Sequence, residues 1–173
     1  MAEIADDELG PVLEAPAAYF EVRTLVRVAL GFPNERKPLL IGIDGVDGSG
    51  KSSLAAWLSW QLEMPALHLD MYWIPDTKPL QFRRDDFAWA VDARCSQRPL
   101  IVEGILLLRV LDEIGRSPDF LVFVDKESHA GSIAEIKPYF DWYKPQDRAN
   151  HTLRWSSAEH DARVLDAHHR RAR

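Results

Sequence analysis

The residues best placed by type and spacing to do chemistry lie together. Gly45-Val-Asp-Gly-Ser-Gly-Lys-Ser52 fits the pattern G-x-x-x-x-G-K-[ST] at every specified position. Glycines so spaced let a loop turn its backbone N–H groups inward around phosphate oxygens, with positive φ and no Cβ in the way. In such a loop Lys51 supplies a cation to the β and γ phosphates of a nucleoside triphosphate, and the Ser52 hydroxyl ligates Mg²⁺. Val46, Asp47, Gly48, Ser49 and Gly50 complete the expected cradle, with Ser53 following it on the helix side. A bland strand-to-helix turn is the other reading, and it would need neither Lys51 nor Ser52.

A metal held by one hydroxyl and phosphate oxygens wants a carboxylate nearby, directly or through water. Glu103, which ends the apolar run Leu100-Ile-Val-Glu103, is the candidate. Its alternative reading is an acid at a helix start, favoured there by the macrodipole.

Positioning such a loop takes a strand before it and a helix after it. Residues 38–44 are a short, continuously apolar run bounded by turn residues, the pattern of a strand buried on both faces. Residues 51–63 put Leu54, Trp57, Leu58 and Leu62 on one helical face. Three further runs, 65–70, 99–104 and 119–125, each end on or beside a carboxylate, and 107–114 is helix-capable. Upstream, Val22, Leu25, Val26, Ala29 and Leu30 recur on one helical face until Gly31 and Pro33 stop it. Strands alternating with helices predict an α/β protein of the P-loop NTPase fold, an open, mostly parallel sheet with helices on both faces. Ligands of such sheets bind at the carboxyl ends of the strands, where Asp70, Glu103 and Asp125 fall.

The chain has 173 residues, 46% of them hydrophobic and 28% charged, as for one globular domain. Residues 1–16 are acidic and aperiodic and read as a flexible lead-in; 17–173 read as a single domain. With 21 Lys and Arg against 27 Asp and Glu the formal charge is −6, which disfavours nucleic acid and anionic membrane as partners. The basic ending from His168 to Arg173 is read as a cap on a terminal helix. A lone Cys95 cannot close a disulfide within the chain, and the acidic N-terminus lacks the features of a signal peptide. A cytoplasmic location is the expectation.

Four pieces occur in order: Ile41-Gly-Ile-Asp-Gly-Val-Asp-Gly-Ser-Gly-Lys-Ser-Ser53, His68-Leu-Asp-Met-Tyr72, Ile101-Val-Glu-Gly-Ile-Leu-Leu107 and Phe120-Leu-Val-Phe-Val-Asp125. Together they resemble the uridine kinase group of P-loop nucleoside and small-metabolite kinases. The resemblance covers residues 38–125, with a fainter echo over 144–153. It implies ATP- and Mg²⁺-dependent transfer of the γ-phosphoryl group to a hydroxyl of a nucleoside or similar small metabolite. The implied partners are therefore a nucleoside triphosphate and a small-molecule phosphoryl acceptor. Asp70 matches the acid lying between acceptor hydroxyl and Mg²⁺, acting as base or orienter, and Lys51 is its catalytic companion. Tyr72 matches an aromatic near the acceptor, Glu103 the acid that helps hold Mg²⁺, and Asp47 a residue on the acceptor side in some relatives.

Two stretches depart from the group. Its lid, expected here over about 126–145, carries arginines that clamp the transferring group, whereas residues 126–137 contain none. Lys126, Lys137, Lys144 and Arg148 are the charges left to substitute, and lysine does not reproduce a guanidinium fork. Phe82-Arg-Arg-Asp-Asp-Phe87 with Trp89 replaces the expected acceptor-binding pattern. Arg83 and Arg84 read either as contacts to an anionic acceptor or as a solvated charge run. Two alternatives therefore stand beside the nucleoside kinase: a kinase of a non-nucleoside metabolite, and an ATP-binding regulatory module with little transfer activity. His68 and His129 are given no role.

Overall fold

Continuous apolar runs, each too short for a helix of their own, make strands that bury both faces. The computed structural model, which describes residues 15–126 and 133–155, has a five-stranded sheet in which Leu40–Gly45 and Leu100–Glu103 are buried throughout. Residues 1–14 of the lead-in, 127–132 of the expected lid, His129 among them, and the basic ending lie outside the described residues.

The element order is α1 (Ala17–Leu30), β1 (Leu40–Gly45), α2 (Lys51–Leu62), β2 (Ala66–His68), β3 (Trp73–Ile74), β4 (Gln81–Phe82), α3 (Arg84–Cys95), β5 (Leu100–Glu103), α4 (Leu107–Glu113), β6 (Phe120–Lys126), α5 (Ile136–Tyr143), α6 (Pro145–Arg148) and β7 (His151–Trp155). A single 3-10 turn, Leu69–Tyr72, follows β2. The large sheet has the order β2-β5-β1-β6-β7, and every pairing in it is parallel. β3 and β4 form a separate antiparallel pair in which Trp73 stands opposite Phe82.

Alternation along the strands sends side chains to two helical layers. Ile41, Ile43, Ile101, Val122 and Val124 pack with Val22, Val26 and Leu30 of α1 and Leu54 and Leu58 of α2. Leu40, Leu100 and Val102 point the other way, onto Phe87 and Val91 of α3 and Leu107, Val110 and Leu111 of α4. A third cluster joins Val46, Leu106, Leu108 and Leu121 to Ile136 and Tyr139 of α5. The expected open parallel sheet with helices on both faces is thus the observed one. α1 stops as predicted, at Gly31, which takes a left-handed conformation (φ +87°).

The stretch 82–87, which reads in the sequence as a charge run, holds the end of β4 and the start of α3. α3 buries only Phe87 and Val91, four residues apart, and exposes its acids and arginines. Its start is tied to the preceding 3-10 turn: the Arg83 N–H donates to the Tyr72 carbonyl (2.7 Å) and the Arg83 guanidinium to the Met71 carbonyl (2.5 Å).

Candidate active site

The carboxyl ends of β1, β5 and β2 converge on one cavity of about 470 Å³. Its lining includes Asp47, Gly48, Gly50, Lys51, Ser52 and Ser53 from the loop and helix start, Asp70 from the 3-10 turn, and Glu103 and Gly104 from the end of β5. Topology accounts for the convergence: β1 pairs with β5 and β5 with β2, so residues 45, 103 and 68 end neighbouring strands.

The loop has the backbone that its glycines predict. Gly45, Gly48 and Gly50 all have positive φ (152°, 67° and 92°). A Cβ on Gly45 would stand 2.4 Å from the Val124 carbonyl oxygen, so no larger residue fits between the loop and β6. α2 begins at Lys51 with no side chain capping it, which leaves its first N–H groups and the positive end of its dipole to the cavity side of the loop. Ser49 Oγ is buried and finds no hydrogen-bond partner among the described residues. An orphaned hydroxyl and uncapped amides beside glycines of positive φ suit a polyanion such as a phosphate chain.

Lys51 is only 6% exposed, and its ammonium donates to the Val46 carbonyl at 2.7 Å. Burial pulls its pKa below the ordinary lysine value, while Glu103, Asp44, Asp70 and Asp47 act to hold the charge in place. Ser52 Oγ donates to Glu103 Oε1 at 3.0 Å. These are hard oxygen donors of the kind Mg²⁺ accepts alongside phosphate oxygens. No group of three or more His, Cys, Asp or Glu side chains forms a metal cage among the described residues. A metal at this position would therefore need ligands from the phosphates themselves. Asp70 is exposed to the cavity. Gly104 lets Leu69, which precedes Asp70 in the chain, approach the end of β5: a Cβ at 104 would stand 2.5 Å from Leu69 Cβ.

The other sequence candidates go elsewhere. Tyr72 is half-buried and packs edge-on against Phe87, with ring centroids 5.1 Å apart, and is not among the residues lining the cavity. Arg83 and Arg84 line a separate depression of about 600 Å³, where Arg83 reaches Asp86 (3.8 Å) and Arg84 reaches Glu113 (3.7 Å). Asp125 pairs with Arg154 across the β6–β7 ladder at 3.7 Å.

Four participants, His68, Trp73, Phe82 and Asp44, were not legible as such in the sequence. His68 Nδ1 lies 2.6 Å from Glu103 Oε1, the same oxygen that Ser52 reaches, so the carboxylate is held from two elements. Trp73 and Phe82, opposite one another in the β3–β4 pair, both line the cavity, and Trp73 is 47% exposed. Trp73, Leu80 and Ile133 also border a larger open cleft of about 910 Å³, walled by Arg109, Tyr139, Trp142 and Tyr143. Asp44, one residue before the loop, is fully buried and accepts hydrogen bonds from the Gly45 N–H (2.7 Å) and the Tyr139 hydroxyl. The alternation of apolar and small residues around it marks a strand, and a lone acid inside a buried strand was the available signal.

No family model matches the chain, and no curated protein does. Some solved structures are similar to it. A possible uridine kinase from Bacillus stearothermophilus superposes with a TM-score of 0.55 at 15% identity, over 78% of this chain and 98% of its own. Shikimate kinase from Aquifex aeolicus gives 0.47 at 20% identity, over 67% and 85%, and a gluconokinase from Sinorhizobium meliloti gives 0.41 at 19%, over 78% and 94%. The first of these likenesses, at its low identity, bears on architecture alone: the chain shares with that structure an α/β fold in which a parallel central sheet is flanked by helices.

Proposed function

We propose that the protein is an ATP- and Mg²⁺-dependent phosphotransferase that moves the γ-phosphoryl group to a hydroxyl of a nucleoside or similar small metabolite. The observation that carries this reading is the shared cavity: a glycine cradle with buried Lys51, the Ser52–Glu103 pair, and Asp70 open to the same space.

Phosphoryl transfer asks for positioning and charge stabilisation more than for covalent work. The loop amides and Lys51 bind the β and γ phosphates and offset the charge that gathers on the leaving oxygen. Ser52 and Glu103 would hold Mg²⁺, which when bound neutralises phosphate charge and fixes the triphosphate's conformation. His68 keeps the Glu103 carboxylate oriented. Asp70 accepts the acceptor's hydroxyl proton as the new O–P bond forms and the bond from Pγ to the β,γ-bridging oxygen breaks, leaving ADP.

ADP release, followed over a panel of nucleosides, sugars and other hydroxyl metabolites, tests the reading. At least one acceptor is expected to stimulate release. Lys51→Ala should lower that turnover by at least about a hundredfold, since a charge aimed at the transition state is lost. Asp70→Asn should leave ATP binding near the wild-type level and remove acceptor phosphorylation. Full phosphorylation by Asp70→Asn would overturn the role of Asp70. Tight ATP binding with no stimulation by any acceptor would identify instead a nucleotide-binding module, the reading favoured by the absence of arginine from 126–137.

A further inference from the structure

Asp44 and Tyr139 are 95 residues apart in the chain and meet in the interior. Asp44 lies near the end of β1, just ahead of the phosphate loop; its carboxylate accepts the first N–H of that loop and the Tyr139 hydroxyl. The Tyr139 oxygen in turn accepts the Leu108 N–H at 3.1 Å, one of the uncapped amides at the start of α4. One phenol therefore joins the root of the loop, the start of α4 and the middle of α5.

The same ring faces two ways. It packs in the cluster of Val46, Leu106, Leu108, Leu121 and Ile136, and it also forms part of the wall of the 910 Å³ cleft that continues the loop cavity. Its neighbours Phe140 and Tyr143 lie against it at 5.6 and 5.3 Å between centroids. If α5 shifts, Asp44 and the Leu108 amide lose partners in a place that water does not reach, an expensive outcome for buried polar groups. The loop root and α5 must then move as one body or stay put together.

We infer that Asp44 and Tyr139 are positioning residues that lock the phosphate loop to α5, so that nucleotide binding at the loop rigidifies the wall of the neighbouring cleft. The inference rests on the reading of the loop as a nucleotide site. Lys51, on α2, is the cation that faces Asp44, and Arg148, on α6, is the one that faces Tyr139. Neither lies within the cleft wall, so the link from loop to cleft runs through the phenol rather than through a chain of surface charges.

Amide hydrogen exchange with and without Mg²⁺-ADP tests this without knowledge of the acceptor. In the wild type, ADP should slow exchange in the loop and, about fivefold or more, in α5 (Ile136–Tyr143), a coupling of ordinary size. Tyr139→Phe keeps the ring and removes the hydroxyl, so loop protection should remain while α5 protection is lost. Asp44→Val cuts the same bond from the other side and covers the case in which Tyr139→Phe does not fold. Asp44→Asn, whose amide still reaches the phenol oxygen, should keep α5 protection. Protection of α5 that survives both cutting variants means direct contact with nucleotide and overturns the lock, as does loss in Asp44→Asn equal to that in Tyr139→Phe. Loop protection with no α5 response in the wild type sinks the lock and spares the nucleotide reading. Protection of neither segment sinks both.

Discussion

A carboxylate in a strand with no access to water is costly unless its charge is answered, and Asp44 is answered only in part. Burial pushes its carboxyl up to about 6, against the pull of Tyr139, the Gly45 amide, Lys51 and the Leu108 amide. In the unfolded chain an aspartic acid titrates near pH 3.9, so between about pH 4 and 6 the folded protein holds a proton that the unfolded chain has released. The sign follows: this group's contribution to stability is greatest below that window, falls as pH rises through it, and is constant above about 6. Asp44→Asn removes the charge and keeps the shape. Its stability relative to the wild type is expected to rise with pH, reaching roughly 1–3 kcal/mol in its favour at neutral pH after allowance for a weaker bond to Tyr139. Urea unfolding of both proteins at pH 4.5, 6 and 7.5 checks this, and a difference that does not vary with pH would refute it. The pull on Tyr139 is the complement: burial and the facing carboxylate hold its hydroxyl protonated, which keeps it a donor throughout this range.

Elements differ in how far they announce themselves. β1, β5 and β6 are continuous apolar runs with turn residues at their ends, and the loop between β1 and α2 carries a pattern with a physical reason at each position, so both are legible locally. α3 is not, because a helix that buries two side chains on an otherwise charged surface has no apolar stripe to read. β3 and β4, at two residues each, are too short to show a period. Contacts between elements, such as His68 with Glu103 and Tyr139 with Asp44, depend on strand order and cannot be read from any window of sequence. The meeting of β5 with the 3-10 turn that carries Asp70 is of this kind and is easily tested. At Gly104 an added methyl would meet Leu69 Cβ, an atom next to the backbone of a fully buried residue, so the turn itself must give. Gly104→Ala is expected to cost about 1–3 kcal/mol in chemical unfolding. Because Asp70 adjoins Leu69, acceptor phosphorylation should fall by about tenfold or more, with a much smaller change in nucleotide affinity. Equal losses in acceptor phosphorylation and in nucleotide affinity would mean that the loop, rather than the turn, had moved.

At the scale of the whole molecule, a formal charge of −6 opposes the long-range approach of a triphosphate, and the charged side chains lining the cavity, Asp47, Asp70 and Glu103 against Lys51, do not by themselves reverse this. On the proposed nucleotide reading, local dipoles must decide: backbone amides, an uncapped helix start and one buried lysine act over a few ångströms, which a count of side-chain charges does not register. Nucleotide binding there would stabilise only the folded chain, because the cradle exists only when β1, the loop and α2 are in place. At about a hundred times its dissociation constant, Mg²⁺-ADP should add about 2.7 kcal/mol of stability. For a domain of this size that is a rise in Tm of roughly 5–10 °C. Lys51→Ala, which removes the cation and leaves the backbone cradle, should lose most of the rise at the same ADP concentration. Glu103→Gln, which keeps the side chain's length, should lose the part of it that depends on Mg²⁺. Thermal unfolding with ADP alone, with Mg²⁺ alone and with both separates the two contributions. A rise as large in Lys51→Ala as in the wild type would place the nucleotide somewhere other than this loop.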